Sequence, residues 1–186
     1  MFVRTERLFL RPAWPEDLDE LVAVLLEKDI QRNVGVGPLP ATVEEVRAFI
    51  DRPRDPRLPH FFIYLRAPDG PRFVGGIGLG RHEGEVEVGY WIAERYRSRG
   101  FAGEALRAVV SEARALGYSR LVASHFVDSP TAHSVLEGAG FRDTGKVRSR
   151  FSATRAMECT ARIYVADLER RANPRMEMSG VGMTAA

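Results

Sequence analysis

The chain holds a single cysteine, Cys159, so no internal disulfide can form and a reducing cytoplasm is its natural setting. Its four histidines, 60, 82, 125 and 133, are scattered and give no metal-ligand spacing. No stretch approaches the ~20 apolar residues of a membrane span. The opening MFVRTERLFLRPA lacks the uninterrupted apolar run of a signal peptide. Lysine is scarce beside arginine, and the formal net charge is only +2, so the charge balance gives no argument for nucleic acid. Two phosphate-binding patterns are also missing: Gly-x-x-x-x-Gly-Lys-Ser/Thr, and Gly-x-Gly-x-x-Gly after a first strand. There is no internal repeat and no linker between two core-forming segments.

What is there is ordinary globular material: 186 residues, 45% hydrophobic and 28% charged, enough for one domain with a sizeable core. Residues 4–11 alternate around Leu8 and Leu10 and predict a strand ending at Pro12. Pro15 suits a first helical position, and Leu18, Leu21, Val22, Leu25 and Leu26 share one helical face. Residues 31–40 carry two glycines and two prolines and predict a loop. Thr42 to Glu45 is a capping box opening a helix to about Ile50. Strands at 60–66, 73–80 and 85–93, joined by short turns, imply an antiparallel meander. Four glycines between Phe73 and Gly80 suggest a bulge or a close neighbour. A helix runs from Ala102 to Leu116, with Gly117 at C′, and then come a strand at 121–127 and a helix from Pro130 to Glu137. Strands at 141–147 and 159–168 close the fold, and residues 171–186 read as a flexible tail. The class is α/β in order and α+β in pairing: a mixed, mostly antiparallel sheet of about seven strands with about four helices, in one domain over 1–170.

The stretch Glu87–Arg107, EVGYWIAERYRSRGFAGEALR, organises the rest. A strand breaks at a small, basic turn and continues as a helix, which presents free backbone N–H groups to an anion. Taken alone, Arg95, Arg97 and Arg99 read equally well as a solvated basic patch. The pattern Arg-x-x-Gly-x-Ala at 97–102, however, resembles the acetyl-coenzyme A turn of the GNAT superfamily of N-acetyltransferases. Thr-Glu-Arg-Leu-x-Leu-Arg at 5–11, Glu-Val-Gly-Tyr-Trp-Ile at 87–92 and Val-Leu-Glu-x-x-Gly-Phe at 135–141 are similar to the ribosomal-protein N-terminal acetyltransferase branch.

That resemblance implies acetyl-CoA as acetyl donor, with no metal, and direct transfer to an amine in a ternary complex. The acceptor would be a protein N-terminal α-amine or a small-molecule amine such as an amino acid, polyamine or antibiotic. The competing class is a non-catalytic acyl-CoA-binding module. No nucleic acid or membrane partner is expected, and a homodimer is compatible with the reading. The implied cofactor residues are Arg97, Ser98, Arg99, Gly100, Phe101 and Ala102 at the phosphates, Trp91, Ile92 and Ala93 at the pantetheine arm through splayed strand backbone, and Ser129. Glu87 is the implied general base, for which the competing reading is a solvated strand residue or half of an ion pair. Ser129 and Ala132 stand where the family often has Asn and Ser or Ala, and Leu136 stands where many members carry a tyrosine acid. His125 could face the cleft, His82 and His133 read as surface residues, and Cys159 as a small buried one.

Overall fold

The computed structural model describes residues 1–25, 40, 42–152 and 157–169. The expectations on Leu26, on most of the 31–40 loop and on the tail from 171 lie outside the described residues. Eight strands form one sheet: β1 Val3–Arg4, β2 Leu8–Arg11, β3 His60–Ala67, β4 Gly70–His82, β5 Glu85–Ile92, β6 Arg120–Phe126, β7 Arg142–Ser152 and β8 Met157–Asp167. Their spatial order is β1-β2-β3-β4-β5-β6-β8-β7, antiparallel throughout except β5 beside β6. Four described helices pack on it: α1 Leu18–Leu25, α2 Val43–Asp51, α3 Phe101–Ala115 and α4 Pro130–Glu137.

The single first strand expected over 4–11 is two. The Thr5 hydroxyl accepts from the Leu8 N–H at 2.9 Å, turning the chain so that Val3 pairs with Leu10. Strand β7 runs on to Ser152, five residues past the expected end. Its pairing with β8 shifts between Asp143 and Val147, where Gly145 sits at φ 71°.

The glycines of β4 supply both a bulge and close neighbours. Pairing with β3 steps between Ile63 and Tyr64, leaving Val74 as the extra residue. A Cβ on Gly75 would stand 2.2 Å from the Trp91 carbonyl oxygen, and one on Gly78 2.5 Å from the His60 ring. Residues that face each other across strands share a side of the sheet. On one side Phe62, Tyr64, Phe73 and Trp91 pack ring to ring, with α2 adding Phe49. On the other, α3 lies across β2, β4 and β5. It buries Ala105, Leu106, Val109 and Ala113 completely, in keeping with its i, i+3, i+4 pattern. Burying Leu106 or Val109 contributes ~1.5–3 kcal/mol each. Near the start of the chain Arg11 and Asp17 form a buried two-bonded ion pair at 2.6 and 2.7 Å, Arg11 being sandwiched between Trp14 and Tyr64.

Candidate active site

Strands β5 and β6 are paired at only two positions, Glu87 with Val122 and Val88 with Ala123. Beyond Val88 the two strands part. The wedge between them is a cavity of about 490 Å³, closed at one end by the start of α3 and at the other by α4. Trp91, Ile92, Arg97, Ser98, Gly100, Phe101, Ala102 and Ser129 line it, so most of the residues implied by sequence converge. Ala93 and Arg99 are not among its described lining residues.

The turn into α3 has a geometry that can receive an anion. Ser98 (φ 58°) and Gly100 (φ 80°) both adopt left-handed backbone, the alternation that turns successive N–H groups toward one point. The first N–H of α3 to bond within the helix is that of Glu104, to Gly100 O at 3.1 Å. The N–H groups of Phe101, Ala102 and Gly103 therefore precede the ladder, at the positive end of the helix dipole. Arg97 lines the cavity and donates Nε to Ile92 O at 3.2 Å, while the Arg99 guanidinium lies over the Tyr96 ring.

This turn is braced from the sequence-distant segment between β1 and β2. Arg7 donates Nη1 to Arg99 O at 3.0 Å and Nε to Glu104 Oε2 at 2.7 Å, and covers the Phe101 ring at 4.7 Å. Glu104 Oε1 also accepts from the Thr5 hydroxyl at 2.6 Å and from the Arg7 N–H at 2.8 Å. Burial alone would raise the Glu104 carboxyl, but these bonds outweigh it and hold it below its ordinary range.

Alternation along β5 selects which backbone faces the cavity. The Ala93 N–H donates to Val74 O at 2.8 Å, and the Trp91 carbonyl points toward Gly75. Odd-numbered residues of β5 thus spend their main chain on β4. Ile92 and Tyr90 turn theirs toward the parted side.

Glu87 is neither solvated nor among the cavity's described lining residues. It is 2% exposed; its Oε1 accepts from the Ser124 hydroxyl at 2.6 Å and its Oε2 from Arg150 Nη2 at 2.7 Å. The Arg150 side chain is 9% exposed, and its Nε has no hydrogen-bond partner among the described residues. Ser124, on β6, does line the cavity. Neither Ser124 nor Arg150 carries a local sequence signal, since they lie 37 and 63 residues from Glu87.

Ser129 precedes α4, makes no side-chain cap bond and lines the cavity. His125 also lines the cavity, with Nδ1 2.8 Å from Phe126 O and Nε2 3.1 Å from the Tyr164 hydroxyl. His133 Nδ1 reaches the same hydroxyl at 2.9 Å, so it is tied to the sheet on one side. Burial pushes the Tyr164 hydroxyl up, with the Asp143 charge adding to it. Tyr90 lines the cavity too, and burial pushes its hydroxyl up to about 12, keeping it protonated. Leu136 is buried core. Cys159, half-buried on β8, is not among the described lining residues.

Comparison with known proteins agrees with this geometry. The model of the acetyltransferase (GNAT) domain matches residues 7–142. An uncharacterized N-acetyltransferase, YnaD, of Bacillus subtilis (strain 168) is 22% identical over 148 residues, 78% of this chain and 85% of the relative. The solved acetyltransferase (GNAT family) from Bacillus anthracis superposes with a TM-score of 0.75 at 20% identity, covering 91% of this chain and all of that one. RimL, a ribosomal L7/L12 alpha-N-protein acetyltransferase solved with coenzyme A, gives 0.69 at 16% identity over 90% and 98% of the two chains. The parted strands, the braced turn and the domain match over most of its length together place the chain in the GNAT acetyltransferase family.

Proposed function

We propose that the protein transfers the acetyl group of acetyl-CoA directly to a primary amine, with both substrates bound at once. The carrying observation is the wedge opened where β5 leaves β6, running from the N–H groups of the Arg97–Gly103 turn to Ser124, whose hydroxyl bonds the buried carboxylate of Glu87. The turn suits a pyrophosphate, and the unpaired edge at Tyr90 and Ile92 suits the amides of a pantetheine arm laid down as an extra strand. Ser129 supplies a hydroxyl along the same arm. A backbone N–H at this edge is also placed to hold a thioester oxygen as it becomes negative.

Glu87 is the proton acceptor in this reading. Arg150 supplies its counter-charge at 2.7 Å, and the ammonium of a tetrahedral adduct is a stronger acid than a free alkylammonium, so a carboxylate suffices to take its proton. No cysteine among the described residues lines the cavity, which favours direct transfer over an acetyl-cysteine intermediate.

The proposed acceptor is a protein α-amine, supported by the resemblance of residues 5–11 and 87–92 and by the likeness to RimL. Isothermal titration with acetyl-CoA, followed by thiol release against a panel of peptide N-termini and small amines, tests the reading. Binding with turnover on peptides is the expected result. Turnover on small amines alone moves the acceptor to that class, binding without any turnover marks a binding module, and no binding overturns the cofactor assignment.

A further inference from the structure

The acid–base apparatus has a gap. Glu87 is sealed from the cavity, and Leu136 is buried core that is not among its described lining residues. One side chain spans that gap. Ser124 lines the cavity on β6, one residue past the last β5–β6 pair, and its hydroxyl donates to Glu87 Oε1 at 2.6 Å. That proton is committed to the carboxylate, so the remaining lone pair of Oγ is open to a donor arriving in the cavity. Arg150, by taking Oε2, leaves Oε1 turned toward Ser124 and balances the buried charge.

Resting on the acetyltransfer reading, we infer that Ser124 is a catalytic proton relay used twice in each turnover, first toward Glu87 and then back toward the leaving sulfur. The neutral amine attacks the thioester carbonyl; a C–N bond forms and the carbonyl electron pair moves to oxygen. The adduct's N–H proton passes to Ser124 Oγ as the Ser124 hydroxyl proton passes to Glu87 Oε1. Collapse breaks the C–S bond and leaves its electron pair on sulfur. Ser124 then gives its proton to that sulfur while Glu87 returns the stored one to Ser124. Amine and thioester become amide and thiol, and both side chains end as they began. A single hydroxyl thereby serves a buried base and supplies the acid, with no separate proton donor.

The test compares Ser124→Ala, Ser124→Thr, Glu87→Gln and the Ser124→Ala/Glu87→Gln double variant, with Tyr90→Phe alongside, measuring kcat on an amine the wild type acetylates and acetyl-CoA affinity by titration. Ser124→Ala is expected to lower kcat by ~10²-fold or more, as for a lost general acid–base group, with acetyl-CoA affinity unchanged. Ser124→Thr, which keeps the hydroxyl, restores most of the rate. The double variant is no slower than the worse single one, because both act on one proton path. Wild-type kcat in Ser124→Ala overturns the relay, as do losses that multiply in the double variant. Loss in Tyr90→Phe without loss in Ser124→Ala assigns the acid to Tyr90 instead. A wild type that acetylates no amine overturns the acetyltransfer reading and the relay with it, whereas an active wild type with an unimpaired Ser124→Ala overturns the relay alone.

Discussion

The turn that closes the cavity and the cluster behind Ser124 are made differently. The turn at 97–103 is main chain from one short stretch, shaped by two left-handed residues and small side chains. The cluster at Glu87 is side chain from three strands, β5, β6 and β7, held by bonds across 37 and 63 residues. An anion asks only for converging N–H groups, which a local turn can provide. A buried carboxylate needs a counter-charge and a donor brought in from elsewhere, because burying it alone costs several kcal/mol. The turn should therefore tolerate change in stability but not in binding, and the cluster the reverse.

The largest effect that would break this contrast is expected at Arg150. Arg150→Met leaves Glu87 buried beside Ser124 with no counter-charge, and should cost ~3–5 kcal/mol of unfolding free energy, read by urea denaturation. In a Glu87→Gln background most of that cost should vanish, since no charge remains to orphan. Equal destabilisation in both backgrounds would mean that Arg150 matters for packing and not for charge.

Arg7 tests the turn. Arg7→Met removes the guanidinium from Arg99 O and Glu104 and leaves an unneutralised carboxylate in the first turn of α3. Acetyl-CoA binding should weaken about tenfold, or ~1.4 kcal/mol, with kcat at saturation unchanged. Unaltered affinity would show a turn that supports itself, sharpening the contrast further.

The effect that is smallest at neutral pH is a pH dependence set at His60, outside both regions. Its ring sits edge-on to Phe49 and Phe62. Burial first, and the Arg54 charge second, push its pKa from 6.5 down to about 3. The unfolded chain then binds a proton between those values that the folded chain refuses. Stability from this site is present above pH 6.5 and lost as pH falls, by at most about 1.4 kcal/mol per pH unit. Glu104 and Asp17, both held below their ordinary values, add to the loss lower down, from about pH 4.5 as pH falls through their folded pKa values. His60→Leu should flatten the upper limb of the stability–pH curve between about pH 6.5 and 4.5 and leave the lower limb; an unchanged upper limb would assign the titration elsewhere.

Much of the architecture was legible in local pattern. The period of α3 and the three strands at 60–66, 73–80 and 85–93 joined by short turns mark a meander followed by a helix, and the positions of small residues mark the turn between them. The split of the first strand was not legible, because a single hydroxyl, Thr5, turns the chain and the reward for doing so is Glu104, 99 residues away. Nor was the environment of Glu87. Strand alternation places Glu85 and Glu87 on one face, but only the arrival of β7 beside β8 decides that this face carries Arg148 and Arg150 and not water. The role of Arg7 was hidden in the same way: its motif could be quoted, while the carbonyl it braces lies 92 residues on.

The amino-acid sequence by itself determined most of the elements and the small, basic strand-to-helix turn proposed for the cofactor, since these depend on φ preferences and on periods of two and 3.6 within one stretch. The tertiary structure alone decided how wide the cleft opens, which N–H groups of β5 remain for a ligand, and which hydroxyl reaches the buried carboxylate. Those are set by where β6 stops pairing with β5 and by which strands lie beside it, and neither is a property of any one segment.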